Sequence, residues 1–145
     1  MSQLSEFAES QAVHLHLNIL QAVIQRMSEN SVAAKTWCIT LVSAILVLVV
    51  DKSDPKFAWL ALIPTFLFFV LDTYYLALER RFRNYYNEFI KKIHSECLEA
   101  CDLFVIRPEG HLFSIFLRSI CSFSIWPFYA MLVVIIGICW KFVLH

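Results

Sequence analysis

Three apolar runs, over residues 34–50, 57–78 and 120–140, constrain this chain more than anything else in it. The hydrocarbon core of a bilayer takes about 20 apolar residues of helix per crossing. The second and third runs reach that length, and the first is slightly short. A soluble domain of 145 residues buries most of its apolar side chains but seldom strings them in runs like these. The pattern predicts an all-α integral membrane protein with three transmembrane (TM) helices.

Composition narrows the function. The chain has 2 glycines, Gly110 and Gly137. That disfavours glycine-rich phosphate loops, dinucleotide-binding turns and GxxxG helix dimers alike. The net charge is 0, so no bulk field points to a nucleic-acid partner. The 5 cysteines are scattered, and Cys97 and Cys101 read as reduced thiols on a cytosolic helix rather than a disulfide. The first residues are polar and acidic, with no basic stretch ahead of an early apolar run, so no signal peptide is expected.

Charge sets the expected orientation. With the N-terminus in the cytoplasm, the inner side holds Arg26, Lys35, Arg80, Arg81, Arg83, Lys91, Lys92, Arg107 and Arg118. The outer side then holds Lys52, Lys56 and Lys141. That is a clear positive-inside bias. Trp37, Trp59, Trp126 and Trp140 fall near span ends, as an aromatic belt requires.

Residues 1–31 read as a cytosolic segment whose residues 4–29 form an amphipathic helix, broken at residues 28–31, with Asn30 or Ser31 capping the first span. Residues 32–78 read as a TM hairpin, with spans at about 34–50 and 57–78 around a tight outer turn. Residues 79–118 read as a cytosolic stalk followed by a short interfacial helix over residues 111–119. No Gly or Pro interrupts residues 72–106, so the second helix is expected to continue to about Cys101. Residues 119–145 supply the third TM helix, with a fresh start or kink near Ser124 and Pro127.

Asp72 lies within the second span and Lys35 at a similar depth in the first. Ionisable groups there are costly and take a partner or a water-filled cavity. The pair reads as an intramembrane ion pair, with a pore or gate carboxylate as the functional alternative. Thr36, Thr40 and Ser43 share one helix face, which suits close packing or the lining of a conduction path. Arg80, Arg81, Arg83, Tyr85, Tyr86, Lys91 and Lys92 form the densest basic and aromatic cluster. It suits lipid headgroups or a phosphate-bearing ligand. Phe82, Phe89 and Ile93 lie on an apolar stalk stripe, expected to pair with the N-terminal helix and with further copies in a homo-oligomer. His14 and His16 point to different helix faces. His94, Cys97 and Cys101 share a face but make a poor cage for zinc, so no metal and no cofactor are expected. No nucleophile, metal-hydrolase or phosphate-loop motif is present, and an enzyme is not expected.

The hairpin, its Asp72-Thr73-Tyr74-Tyr75 exit and the Leu78-Glu79-Arg80-Arg81-Phe82 helix resemble the SLATT-type transmembrane effectors of prokaryotic antiviral immunity, with a third span added. The resemblance covers about two-thirds of the chain. It implies an oligomer that perturbs or permeabilises the inner membrane once an upstream sensor detects phage. The implied partners are an adjacent-gene sensor protein or a nucleotide-derived second messenger. The alternative is a membrane anchor or scaffold that recruits a cytosolic partner without conducting.

Overall fold

A computed structural model describes residues 11–52, 55–95, 97, 98, 100–108 and 111–144. The expected helical turns over residues 4–10 and the tip of the outer turn at residues 53 and 54 lie outside these.

Helix α1 spans Gln11–Lys52 without interruption, 42 residues, about 63 Å at 1.5 Å per residue. No Gly or Pro occurs in it. The break expected at residues 28–31 is not there. Ser and Asn cost a helix interior only a few tenths of a kcal/mol each, and Ser31 is buried against a neighbouring helix rather than capping an end.

A 3-10 segment, Pro55–Ala61, leads into helix α2, Leu62–His94. Pro64 has no N–H to donate, and its ring crowds the carbonyl four residues earlier. The regular α-helix accordingly starts just before it, so that Pro64 falls in the first turn. At the other end α2 stops at His94, short of the expected Cys101. Ser95 N–H closes on Lys91 O at 2.9 Å and Cys97 N–H on Lys92 O at 3.1 Å. The chain then doubles back, and its described residues, Cys97, Leu98 and 100–108, form a loop with a short 3-10 turn at Ala100–Asp102. Cys97 and Cys101 are exposed and not disulfide-bonded, Cys97 in that loop and Cys101 in its 3-10 turn rather than on a continued α2.

Burial explains the reversal. Leu98, with Leu103 beside it, packs on Val13 and Phe89, with Leu17 and Ile93 at the edge. A longer α2 would leave those side chains in solvent. Phe89 and Ile93, expected to meet another copy, are instead covered by the chain's own α1 and loop; Phe89 is 3% exposed. Phe82 is half-buried.

Helix α3, Leu112–Ile120, falls where a short helix is expected. Helix α4, Trp126–Leu144, starts later than the expected third span. Ile120 ends α3, and residues 121–125 turn the chain, with Ser122 O accepting from Ile125 N–H and Trp126 N–H at 3.1 and 3.2 Å. Pro127 sits in the first turn of α4, where a missing N–H costs nothing.

A second core joins Cys38 and Val42 of α1, Ala61, and Ile125, Tyr129, Leu132 and Ile136 at and within α4. The helices Gln11–Lys52 and Phe57–His94 are long and apolar enough to cross a membrane; the apolar stretch of α4, Trp126–Phe142, is shorter. All the regular elements among the described residues are helical.

Candidate functional site

Midway along the α1–α2 pair the structure brings Ser31, Lys35 and Asp72 together. Asp72 is fully buried. The Lys35 ammonium lies 2.7 Å from its Oδ2 and 2.9 Å from its Oδ1, but only the Oδ1 contact has hydrogen-bond geometry. Ser31 Oγ donates to the same Oδ1 and accepts from Lys35 Nζ at 3.1 Å. The spacing makes this local: Ser31 and Lys35 are one helical turn apart and face one way. Tyr129 of α4 sits beside Asp72, and its buried hydroxyl, like Asp72 Oδ2, lacks a hydrogen bond. The network therefore ties α1 to α2, with Tyr129 of α4 packed beside it. Ala34 and Ala77, both buried, let the first two helices approach at this level.

Thr36, Thr40 and Ser43 are exposed on the outward face of α1. Thr36 Oγ1 donates to Val32 O at 3.1 Å and Thr40 Oγ1 to Thr36 O at 2.9 Å. The Thr36 and Thr40 hydroxyls are thus satisfied within the helix, while the face around them is apolar and exposed: Trp37 61%, Val47 67%.

The basic and aromatic cluster is divided among separate tasks. Arg80 donates to Ser119 Oγ at 3.2 Å and Ser122 Oγ at 2.7 Å, bracing α3 and the turn after it. Arg81 donates to Pro108 O at 2.6 Å. Arg83 pairs with Glu79 at 2.8 Å. Tyr86 accepts from Gln21 Nε2 at 3.2 Å, across a polar groove of about 460 Å³ between α1 and α2. The seven side chains do not converge on one phosphate, because successive helical positions point to different neighbours.

Further contacts hold the returning loop. Tyr85 OH donates to Val105 O at 2.5 Å, and Lys92 Nζ meets Asp102 Oδ1 at 2.8 Å. Phe104 N–H donates to His16 Nδ1 at 3.0 Å. Burial raises the pKa of the Tyr85 phenol, and the Asp102 carboxylate adds to this. Hydrogen bonding to Asp102 holds the Lys92 ammonium above its ordinary value. His16 is fully buried, with its ring 4.4 Å from that of Phe89. Burial lowers its pKa. As an acceptor at Nδ1, the neutral ring carries its proton on Nε2, which is buried without a partner. Phe104 adopts φ 62°, a left-handed conformation uncommon for a side chain of its size.

Beneath the loop lies a cavity of about 300 Å³, lined by Tyr85, Glu88, Phe89, Lys91, Lys92, Asp102 and Arg107. It gathers Tyr85, Lys91 and Lys92 from the expected cluster and adds Arg107. Among the described residues no group of three metal-ligating side chains is close enough to hold a metal ion.

Sequence reasoning took Ser31 for a cap; its spacing of four from Lys35 is the signal for its actual place. The roles of His16, Tyr129 and Arg107 depend on contacts with distant segments and have no local signal. Comparison with protein-family models, with curated proteins and with solved structures finds no match to this chain.

Proposed function

We propose that this chain is a membrane-embedded effector of antiviral defence that acts by assembling with further copies and permeabilising a bacterial inner membrane, its N-terminus in the cytoplasm. Insertion is supported by the exposure of large apolar side chains along the membrane-length helices, among them Val47, Ile63, Phe66 and Leu67 at 62% or more. Water penalises such a belt at about 25 cal/mol per Å² of apolar surface; lipid does not.

The observation that carries assembly is the outward face of Thr36, Thr40 and Ser43. Exposed hydroxyl-bearing residues sit there in the middle of an apolar belt. In an oligomer they would line a path or let helices approach closely. An upstream signal or partner triggers assembly.

The test is dye release from vesicles reconstituted with the chain and its activating partner. Leak is expected, and it should be lost when Thr36, Thr40 and Ser43 are all replaced by Val, with the melting temperature held. Sealed vesicles under confirmed activation overturn the reading.

A second reading, an anchor that recruits a cytosolic partner without conducting, is favoured by one observation. Phe89 and Ile93 pack against the chain's own α1 and loop, which leaves less of the stalk stripe for contact between copies. A stable one-to-one complex with no leak decides for it.

A further inference from the structure

We propose that the cavity under the returning loop binds a small phosphate-bearing anion. Lys91 and Lys92 reach it from α2 and Arg107 from the loop, against the carboxylates of Glu88 and Asp102, leaving one net positive charge. Lys92 is already engaged with Asp102 at 2.8 Å. The side chains of Lys91 and Arg107 make no ion pair among the described residues.

Asp102 occupies the place a ligand anion would take. A phosphate group carries up to twice the charge of a carboxylate and more acceptor oxygens, and charge-assisted hydrogen bonds of this kind are the strong ones. It displaces Asp102 from Lys92 and gains Lys91 and Arg107 as well. The Tyr85 bond to Val105 O fixes the loop two residues before Arg107, so the guanidinium is presented from an anchored backbone. A cavity of about 300 Å³ lies at the lower end of small-molecule sites. It admits a pyrophosphate or a small phosphorylated metabolite.

A lipid headgroup offers the same chemistry. Lys92 stands 20 residues beyond Asp72 on one helix, about 30 Å along its axis. The headgroup layer is only about 5–8 Å deep on each side of the hydrocarbon, so the ligand is soluble. This last step rests on the membrane reading; the site itself does not.

The test is calorimetric titration of inorganic pyrophosphate into the full chain in non-ionic detergent at fixed ionic strength. Saturable one-to-one binding is expected. Arg107→Gln and Lys91→Gln each weaken it about tenfold, in line with the loss of one charge-assisted hydrogen bond. Asp102→Asn tightens it, and Asp51→Asn, at the far end of α1, leaves it unchanged. Absence of saturation, or equal affinity in Arg107→Gln, overturns the site. The titration is repeated in phosphatidylcholine nanodiscs with and without phosphatidylglycerol. Affinity independent of the anionic lipid supports a soluble ligand, and competition by it overturns that assignment. Failure of vesicle leak would leave the binding result untouched, so the two proposals fail separately.

Discussion

His16 Nδ1 accepts the backbone N–H of Phe104 at 3.0 Å, joining α1 to a loop 88 residues further along the chain. The bond needs a neutral imidazole, since a protonated ring has donors on both nitrogens. Burial holds the pKa of His16 below 6.5, so the unfolded chain takes up its proton first as pH falls. The stability contributed by neutral His16 is fully present above about pH 6.5 and is lost as pH falls from there toward the depressed folded value. Thermal melts are expected to decline between pH 7 and pH 5. His16→Gln, which keeps an acceptor but does not titrate, flattens that decline. An unchanged slope in His16→Gln would refute the assignment.

Asp72→Ala leaves the Lys35 ammonium without its carboxylate, and Lys35→Ala leaves a fully buried carboxylate uncompensated. Breaking a buried pair from one side costs about 3–5 kcal/mol. The double replacement is expected to cost clearly less than the sum of the two. Equilibrium unfolding of the four proteins in detergent measures this, and strict additivity would show that the two groups are uncoupled.

Arg80→Ala removes the donor to both Ser119 and Ser122. Hydrogen bonds to a charged group contribute about 1.5–3 kcal/mol. The expected result is local: faster amide exchange over residues 112–122, with α1 and α2 unaffected. Equal protection in both proteins would mean that α3 is held by its apolar face alone.

Phe89→Ser cuts into the core formed with Val13 and Leu98. Truncating a buried Phe costs about 3–5 kcal/mol. The melting temperature is expected to drop, while the mass of the particle by light scattering stays the same. A change in mass at constant melting temperature would return Phe89 to an interface between copies.

The pairing of Lys35 with Asp72 is legible in the sequence because they are ionisable groups set in apolar runs at matching depth, and such groups seek each other. The continuity of α1 is not. The stretch Ser28–Ser31 carries capping chemistry, and only the contact with Asp72 turns Ser31 into a helix-interior residue. Nor is the end of α2 at His94, since the residues that follow are compatible with helix. What reverses the chain is the burial of Leu98 and Leu103 on Val13 and Phe89, which no window of local sequence contains. The same holds for Arg80, whose serine partners lie 39 and 42 residues away. The outward face of Thr36, Thr40 and Ser43 is legible as a face, but its direction depends on where α2 and α4 lie.

Because α1 has no joint along its 42 residues, it behaves as a lever rather than a tether. Ser31 and Lys35 pin it near its middle, and His16 clips one arm about 22 Å from that fulcrum at 1.5 Å per residue. The opposite arm, the one bearing Thr36, Thr40 and Ser43, is seated through Cys38 and Val42 in the second core, so a push on the His16 arm would load that core rather than bend α1. A displacement at one end of α1 would thus be felt at the other without any helix having to melt.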